Sequence, residues 1–206
     1  LDRMLKQAQE TLARGLDRMR KQLQSGAVVD YSLVAAALSL AQIYVGADEA
    51  AKAVALLEDP AIGPVAIVAA NNPLAEQGNF ATETYKIALR AYVATQALDK
   101  AEKMMNDLEA LIAKSGDAQG IEMLTRIYIT LGRELEEQVA ILRKENKAAQ
   151  LDRVTAGFKL FLDRISAREK GNTFNSLNWV AETFYRLASG YEVAGKETPA
   201  QAREYY

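Results

Sequence analysis

The chain has 206 residues, half of them hydrophobic, and a formal net charge of −2. A charge this close to zero gives no global attraction to nucleic acid or to an anionic membrane surface. Cysteine and histidine are both absent, which excludes disulfides, thiolate nucleophiles, imidazole bases and Cys- or His-based metal sites.

Only 4 prolines and 12 glycines interrupt the sequence, and long strand-like alternation is missing. This composition predicts an all-α fold. No apolar run reaches the roughly 18 residues of a membrane span, and the candidate Val65–Ala70 is far too short. Both ends, Leu1 and Tyr206, lie inside helical patterns. Further chain, with any targeting segment, is expected outside them.

Leu1–Leu23 reads as an amphipathic helix, with Leu5, Ala8, Leu12, Leu16 and Met19 at spacings of 3 and 4. Its polar face sets six cations (Arg3, Lys6, Arg14, Arg18, Arg20, Lys21) against Asp2, Glu10 and Asp17. Such a face suits a membrane surface or an acidic partner, but the favoured reading is a helix capping a larger array. Residues 1–26 therefore stand as a capping element before a repeat domain over 27–206.

Asp30 is placed to cap a helix over Tyr31–Val45, with the stripe Leu33, Ala37, Leu40, Ala41 and Tyr44. Gly46-Ala47 turns, and Asp48 opens a helix to Leu57. Gly63-Pro64 starts a short apolar helix, Val65–Ala70, read as a plug on the core, and Leu74–Asn79 reads as loop.

Two stripes then follow almost without a gap. The first holds Ile87, Ala88, Ala91, Tyr92 and Thr95; the second holds Leu98, Ala101, Met104, Met105, Leu108 and Leu111. Helices joined this tightly fold back as an antiparallel hairpin, with Asp99 expected as the second cap. Met123, Leu124, Ile127, Tyr128 and Leu131 mark another helix, with Gly132 expected as its C′ residue. The helical pattern from Glu134 to Arg168 predicts a break near Asn146–Gln150 and a weak point at Gly157. Phe174–Ser189 follows, and Thr198-Pro199 opens a last helix through Ala202 and Tyr205.

Tyr92 has Ala88 four residues before it, Leu89 three before it and Ala101 nine after it. Leu40-Ala41-Tyr44-Gly46, Leu124-Tyr128-Gly132 and Leu187-Ala188-Tyr191-Gly195 carry related spacings. These segments resemble the tetratricopeptide repeat (TPR), a helix–turn–helix of about 34 residues. The resemblance implies a right-handed solenoid of about four helix hairpins, with degenerate repeats and insertions. The departures are specific. The marker tyrosines 44, 92, 128 and 191 are 48, 36 and 63 residues apart, and Glu137 stands where a small helix B residue belongs.

No phosphate-cradling loop, metal-ligand run or nucleophile elbow is present, so no catalytic residue, metal or cofactor is expected. The clustered carboxylates Asp48/Glu49, Asp107/Glu109 and Glu134/Glu136/Glu137 read as solvated helix faces, because i and i+2 do not share a face. Aromatic residues concentrate late: Phe158, Phe161, Phe174, Trp179, Phe184, Tyr185, Tyr191, Tyr205 and Tyr206. A packed core is the simpler explanation. Trp179 falls off its helix stripe, toward an inter-helix groove or a partner.

In the TPR family the concave surface is lined two and six residues before the marker tyrosine. Here that gives Gln42 and Leu38, Arg90 and Lys86, Arg126 and Glu122, Ser189 and Tyr185, with Arg186 beside the last. Lys86, Arg90 and Arg126 would form a basic strip for an acidic peptide or a C-terminal carboxylate. The asparagines of the family's carboxylate-clamp pattern are missing. The resulting expectation is a non-catalytic scaffold that holds a peptide or protein, or assembles with itself. The alternative is an α-helical enzyme or small-ligand domain using Asp/Glu and the C-terminal aromatics, which a closed pocket with two inward carboxylates would favour.

Overall fold

In a computed structural model every element among the described residues is helical. The structure describes all residues except 1, 27, 48, 116–117, 169–171, 191–199 and 204–206, and further omits the side chains of 2–5, 24, 115, 118–121, 148–150, 153, 160 and 201–202. The helices are α1 (Asp2–Gln24), α2 (Tyr31–Gly46), α3 (Ala50–Leu57), α4 (Pro64–Ala69), α5 (Phe80–Ala94), α6 (Leu98–Ser115), α7 (Ala118–Lys144), α8 (Ala148–Ser166), α9 (Phe174–Ser189) and α10 (Ala200–Arg203). A 3₁₀ turn, Pro73–Glu76, occupies part of the expected loop. The chain divides into two compact units, Leu1–Leu111 and Ile112–Tyr206, with the boundary inside α6.

The first unit is built around α2. This helix carries no charged residue, so it is buried on several sides and contacts α1, α3, α4 and α5. The Asp30 carboxylate accepts the Leu33 N–H at 2.9 Å and fixes its start, as expected. α1 belongs to this unit and turns its stripe to α2, with Leu16 buried. That contact takes up the middle of the face a membrane-surface helix would need, around Leu16. α4 is the anticipated plug, since Ile67 and Val68 are buried and it packs on α5.

Four helix ends close in the same way. The N–H groups of Glu49, Asn72, Ala97 and Lys147 reach back to the carbonyls of Tyr44, Ile67, Tyr92 and Leu142 at 2.8, 3.2, 2.8 and 3.0 Å. This is the 6→1 bond of the Schellman motif, which satisfies carbonyls left open at a helix C-terminus. In three of them the left-handed position is filled by Asn71 (φ 49°), Gln96 (φ 60°) and Asn146 (φ 54°) rather than glycine. A left-handed Gln carries a steric cost that Gly avoids. Gln96→Gly is expected to raise first-unit stability by about 0.5–1 kcal/mol, read by urea unfolding; a loss would mean the Gln96 side chain makes a stabilising contact.

These turns correct three expectations. Gly132 is not a C′ residue, because α7 runs unbroken from Ala118 to Lys144. Tyr128 therefore lies in mid-helix, and the place that Tyr44 and Tyr92 hold in their hairpins is taken by Leu142. The turns at Tyr44, Tyr92 and Leu142 are 48 and 50 residues apart, intervals longer than a TPR unit. Asp99 sits in the first turn of α6 instead of capping it, and Gly157 lies within an unbroken α8. The break near Asn146 is where expected. Asp48, Tyr191, Gly195, Thr198, Pro199, Tyr205 and Tyr206 lie outside the described residues.

In the second unit α7 and α8 pack along each other. Leu124, Ile127, Tyr128, Leu131, Leu135, Val139 and Leu142 face Val154, Phe158, Phe161, Leu162 and Ile165, all buried. Tyr128 meets Phe161 edge-on with centroids 5.3 Å apart. Thr173 and Ser176 form a capping box that starts α9. Trp179 packs directly on Gly132, leaving no room for a Cβ there.

Candidate functional site

Each residue of the expected basic strip is already engaged. Lys86 on α5 donates to Glu83, one turn earlier, at 2.9 Å. Arg90 is half-buried and also has a partner. Arg126 pairs with Glu122 at 2.6 Å, both well exposed. Lys86 and Arg90 belong to the first unit and Glu122 and Arg126 to the second. Surface pairs of this spacing contribute only about 0.3–0.5 kcal/mol, so an incoming carboxylate displaces them at small cost. Leu38, expected on the lining, is buried in the core.

On α9, Tyr185 is 62% exposed, and Arg186 bonds Glu136 of α7 at 2.7 Å. The same Glu136 oxygen accepts the Thr183 hydroxyl at 2.8 Å, so this carboxylate ties α9 to α7. Tyr185 continues a face that includes Phe174, 83% exposed, and Leu177, 43% exposed.

The polar clusters of the first unit escaped the sequence reading. Glu58, at the C-cap of α3, accepts the Tyr92 hydroxyl at 2.7 Å and Lys100 at 2.6 Å. The Lys100 ammonium also lies 5.6 Å from the Tyr92 ring centroid. Burial pushes the Glu58 carboxyl up, but the Lys100 and Tyr92 hydrogen bonds and the Lys100 charge outweigh it and hold it below the ordinary Glu value. Tyr92 is driven well above the ordinary phenol range by burial first, then by its bond to Glu58 and that carboxylate's charge. The earlier hairpin repeats the ring–ammonium pair, with Lys52 5.7 Å from the Tyr44 centroid. A Tyr-x7-Lys spacing present twice, 48 residues apart, was the available signal.

Beside Tyr44 and Lys52 an open cleft of about 440 Å³ runs between α1, α2 and α3. Two carboxylates line it, Asp17 and Asp59, but neither is poised as a buried acid. Asp59 is consumed by Arg20 at 2.6 Å and by the N–H groups of Ala61 and Ile62 at 2.9 and 3.0 Å. Asp17 is 69% exposed at its side chain.

Comparison with protein-family models, curated proteins and solved structures finds no match.

The site's chemistry is therefore read from its own residues. Among the described residues no group of three or more His, Cys, Asp or Glu is placed to hold a metal ion. No described helix is long and apolar enough to cross a membrane.

Proposed function

We propose that this chain is a non-catalytic interaction module, a TPR-like array of helix hairpins that holds a peptide or a partner protein. The observation that carries this reading is the face of α9 formed by Phe174, Leu177 and Tyr185, large side chains exposed to solvent at spacings of 3 and 8 residues. Aromatic groups of this kind, beside an arginine such as Arg186, are the side chains that anchor protein interfaces. The recurring hairpin turn at Tyr44, Tyr92 and Leu142 supports a repeat array.

Each unit offers its own contacts to an acidic segment of the partner: Lys86 and Arg90 in the first, and Arg126 and Arg186 with Glu122 and Tyr185 in the second. Orientation by such charges affects association rate and specificity more than affinity. An enzyme built on carboxylates draws no comparable support, since Glu49, Asp107 and Glu136 of the clusters are held in ion pairs with Lys52, Lys103 and Arg186.

The test is affinity capture from native lysate with wild type, a Phe174→Ser/Tyr185→Ser variant and a Lys86→Glu/Arg90→Glu/Arg126→Glu variant. A common partner is expected to fall about tenfold or more with the α9 variant, the loss of more than 1.4 kcal/mol typical of aromatic anchors. The charge-reversed variant is expected to lose it more steeply at low salt than at high salt. Equal capture by all three, with helicity unchanged, overturns the reading.

A further inference from the structure

Two hairpins of the first unit carry the same tyrosine–lysine pair and differ in what closes it. In the later hairpin the space beside Tyr92 and Lys100 is filled by the chain itself. Glu58 sits between them, accepting the phenol at 2.7 Å and the ammonium at 2.6 Å. In the earlier hairpin Tyr44 and Lys52 stand at the same eight-residue separation, with the same stacking distance to within 0.1 Å. No carboxylate closes this pair from the phenol side. Among the described residues the Tyr44 hydroxyl has no hydrogen bond, and Tyr44 and Lys52 both face the 440 Å³ cleft.

We propose that this cleft binds a ligand carboxylate, seated between the Tyr44 hydroxyl and the Lys52 ammonium as Glu58 is seated between Tyr92 and Lys100. The ligand class is a peptide acid, either an Asp/Glu side chain or a free C-terminal carboxylate, with an apolar group beside it. Leu16, Leu40 and Leu56 supply the apolar wall, and the volume is that of a small-ligand site.

The cation that the cleft offers a ligand is Lys52. Lys52 gives one N–H to Glu49 at 2.8 Å and keeps two of its three donors. Glu49 also accepts Gln9 at 2.6 Å, so its charge is shared. Arg20 is spent on Asp59 at 2.6 Å and Asp17 at 3.8 Å, so it holds those carboxylates rather than the ligand. Of the two lining carboxylates, Asp59 is already neutralised by Arg20 and two backbone N–H groups. Asp17 is exposed and lies 3.8 Å from Arg20. The site uses none of Lys86, Arg90, Arg126 or the α9 face, so it stands or falls separately from the partner surface proposed above.

The experiment is an NMR titration of the full 206-residue chain with four capped leucine–alanine tetrapeptides. One ends in a free carboxylate, one carries an internal aspartate and an amide end, one carries both acids and one carries neither. Saturable shifts at Tyr44, Lys52 and their neighbours are expected with at least one single-acid peptide, and which of the two binds tells a C-terminal from a side-chain carboxylate. The uncharged peptide is expected to bind about tenfold or more weakly, the scale of a hydrogen bond to a charged group. Lys52→Met is expected to weaken binding about tenfold and Tyr44→Phe roughly two- to tenfold. Tyr44→Phe leaves the melting temperature in place, because its hydroxyl has no protein partner to lose. Equal affinity for the charged and uncharged peptides, shifts centred elsewhere, no saturable shift, or full binding by folded Lys52→Met would each overturn the proposal.

Discussion

Replacing Gly132 with alanine lowers the stability of the second unit, against the usual rule for a glycine inside a helix. In mid-helix a Gly→Ala change normally gains about 1 kcal/mol from backbone entropy and solvation. Here a Cβ would fall on the six-membered ring of Trp179. The indole is rigid and held on α9, between the capping box at Thr173 and the buried Val180, so it cannot step aside freely. Overpacking of this kind costs about 1–3 kcal/mol, and the packing term outweighs the propensity gain. A net loss of up to about 2 kcal/mol corresponds to a fall of up to roughly 15 °C in melting temperature for a unit of this size. Calorimetry on Gly132→Ala, Trp179→Leu and the double variant checks it. Alanine should destabilise in the wild-type background and stabilise once the indole is gone, an inversion of sign that marks direct coupling. Loss in both backgrounds would place the need for glycine in the α7 backbone.

Tyr92→Phe removes an alkaline weakness and creates a neutral one. The phenol is raised above its ordinary value of 10.0 by burial, by its bond to Glu58 and by the Glu58 charge. In the native state it keeps its proton when the unfolded chain has already lost one. Stability is therefore intact below pH 10 and falls as pH rises beyond it, by up to about 1.4 kcal/mol per pH unit for one proton. Tyr85 is raised too, by burial and then by Asp107, but it is common to both proteins, so their difference isolates Tyr92. At neutral pH the variant loses a hydrogen bond to a charged acceptor. Glu58 is 35% exposed and keeps Lys100, so the loss is at the low end of the usual range, about 1.5 kcal/mol. Urea unfolding at pH 8, 10 and 11 should show the two stability curves converging with rising pH; parallel curves would mean that Tyr92 does not hold its proton. On the acid side Glu58, held below its ordinary value of 4.5, contributes stability that is present above that pH and lost as pH falls through its folded value.

The stripe Leu124–Tyr128–Leu131 is plain in the sequence, but Gly132 after it reads as a stop because glycine is common at helix ends. Nothing local distinguishes that glycine from one cleared for an indole 47 residues later. Gln96 turns the chain in the left-handed region without the glycine usual at such a position. Lys86 and Arg126 read as parts of a concave basic strip, yet each is held by a glutamate on its own helix. The α9 face was half legible, with Tyr185 named and Phe174 assigned to a packed core.

What the sequence determined by itself is the set of helices and most of their ends, including Asp30, the tight α5–α6 connection and the break after Lys144. These follow from periodicity, capping and turn chemistry, which act over a few residues and are written in adjacent letters. Tertiary structure alone decided that α7 runs through Gly132, that Glu58 closes the Tyr92–Lys100 pair, and that Tyr44 and Lys52 open on a cleft. Those outcomes depend on side chains 34 to 47 residues apart meeting at van der Waals or hydrogen-bond distance. Such meetings are set by helix packing, which no short window of sequence contains.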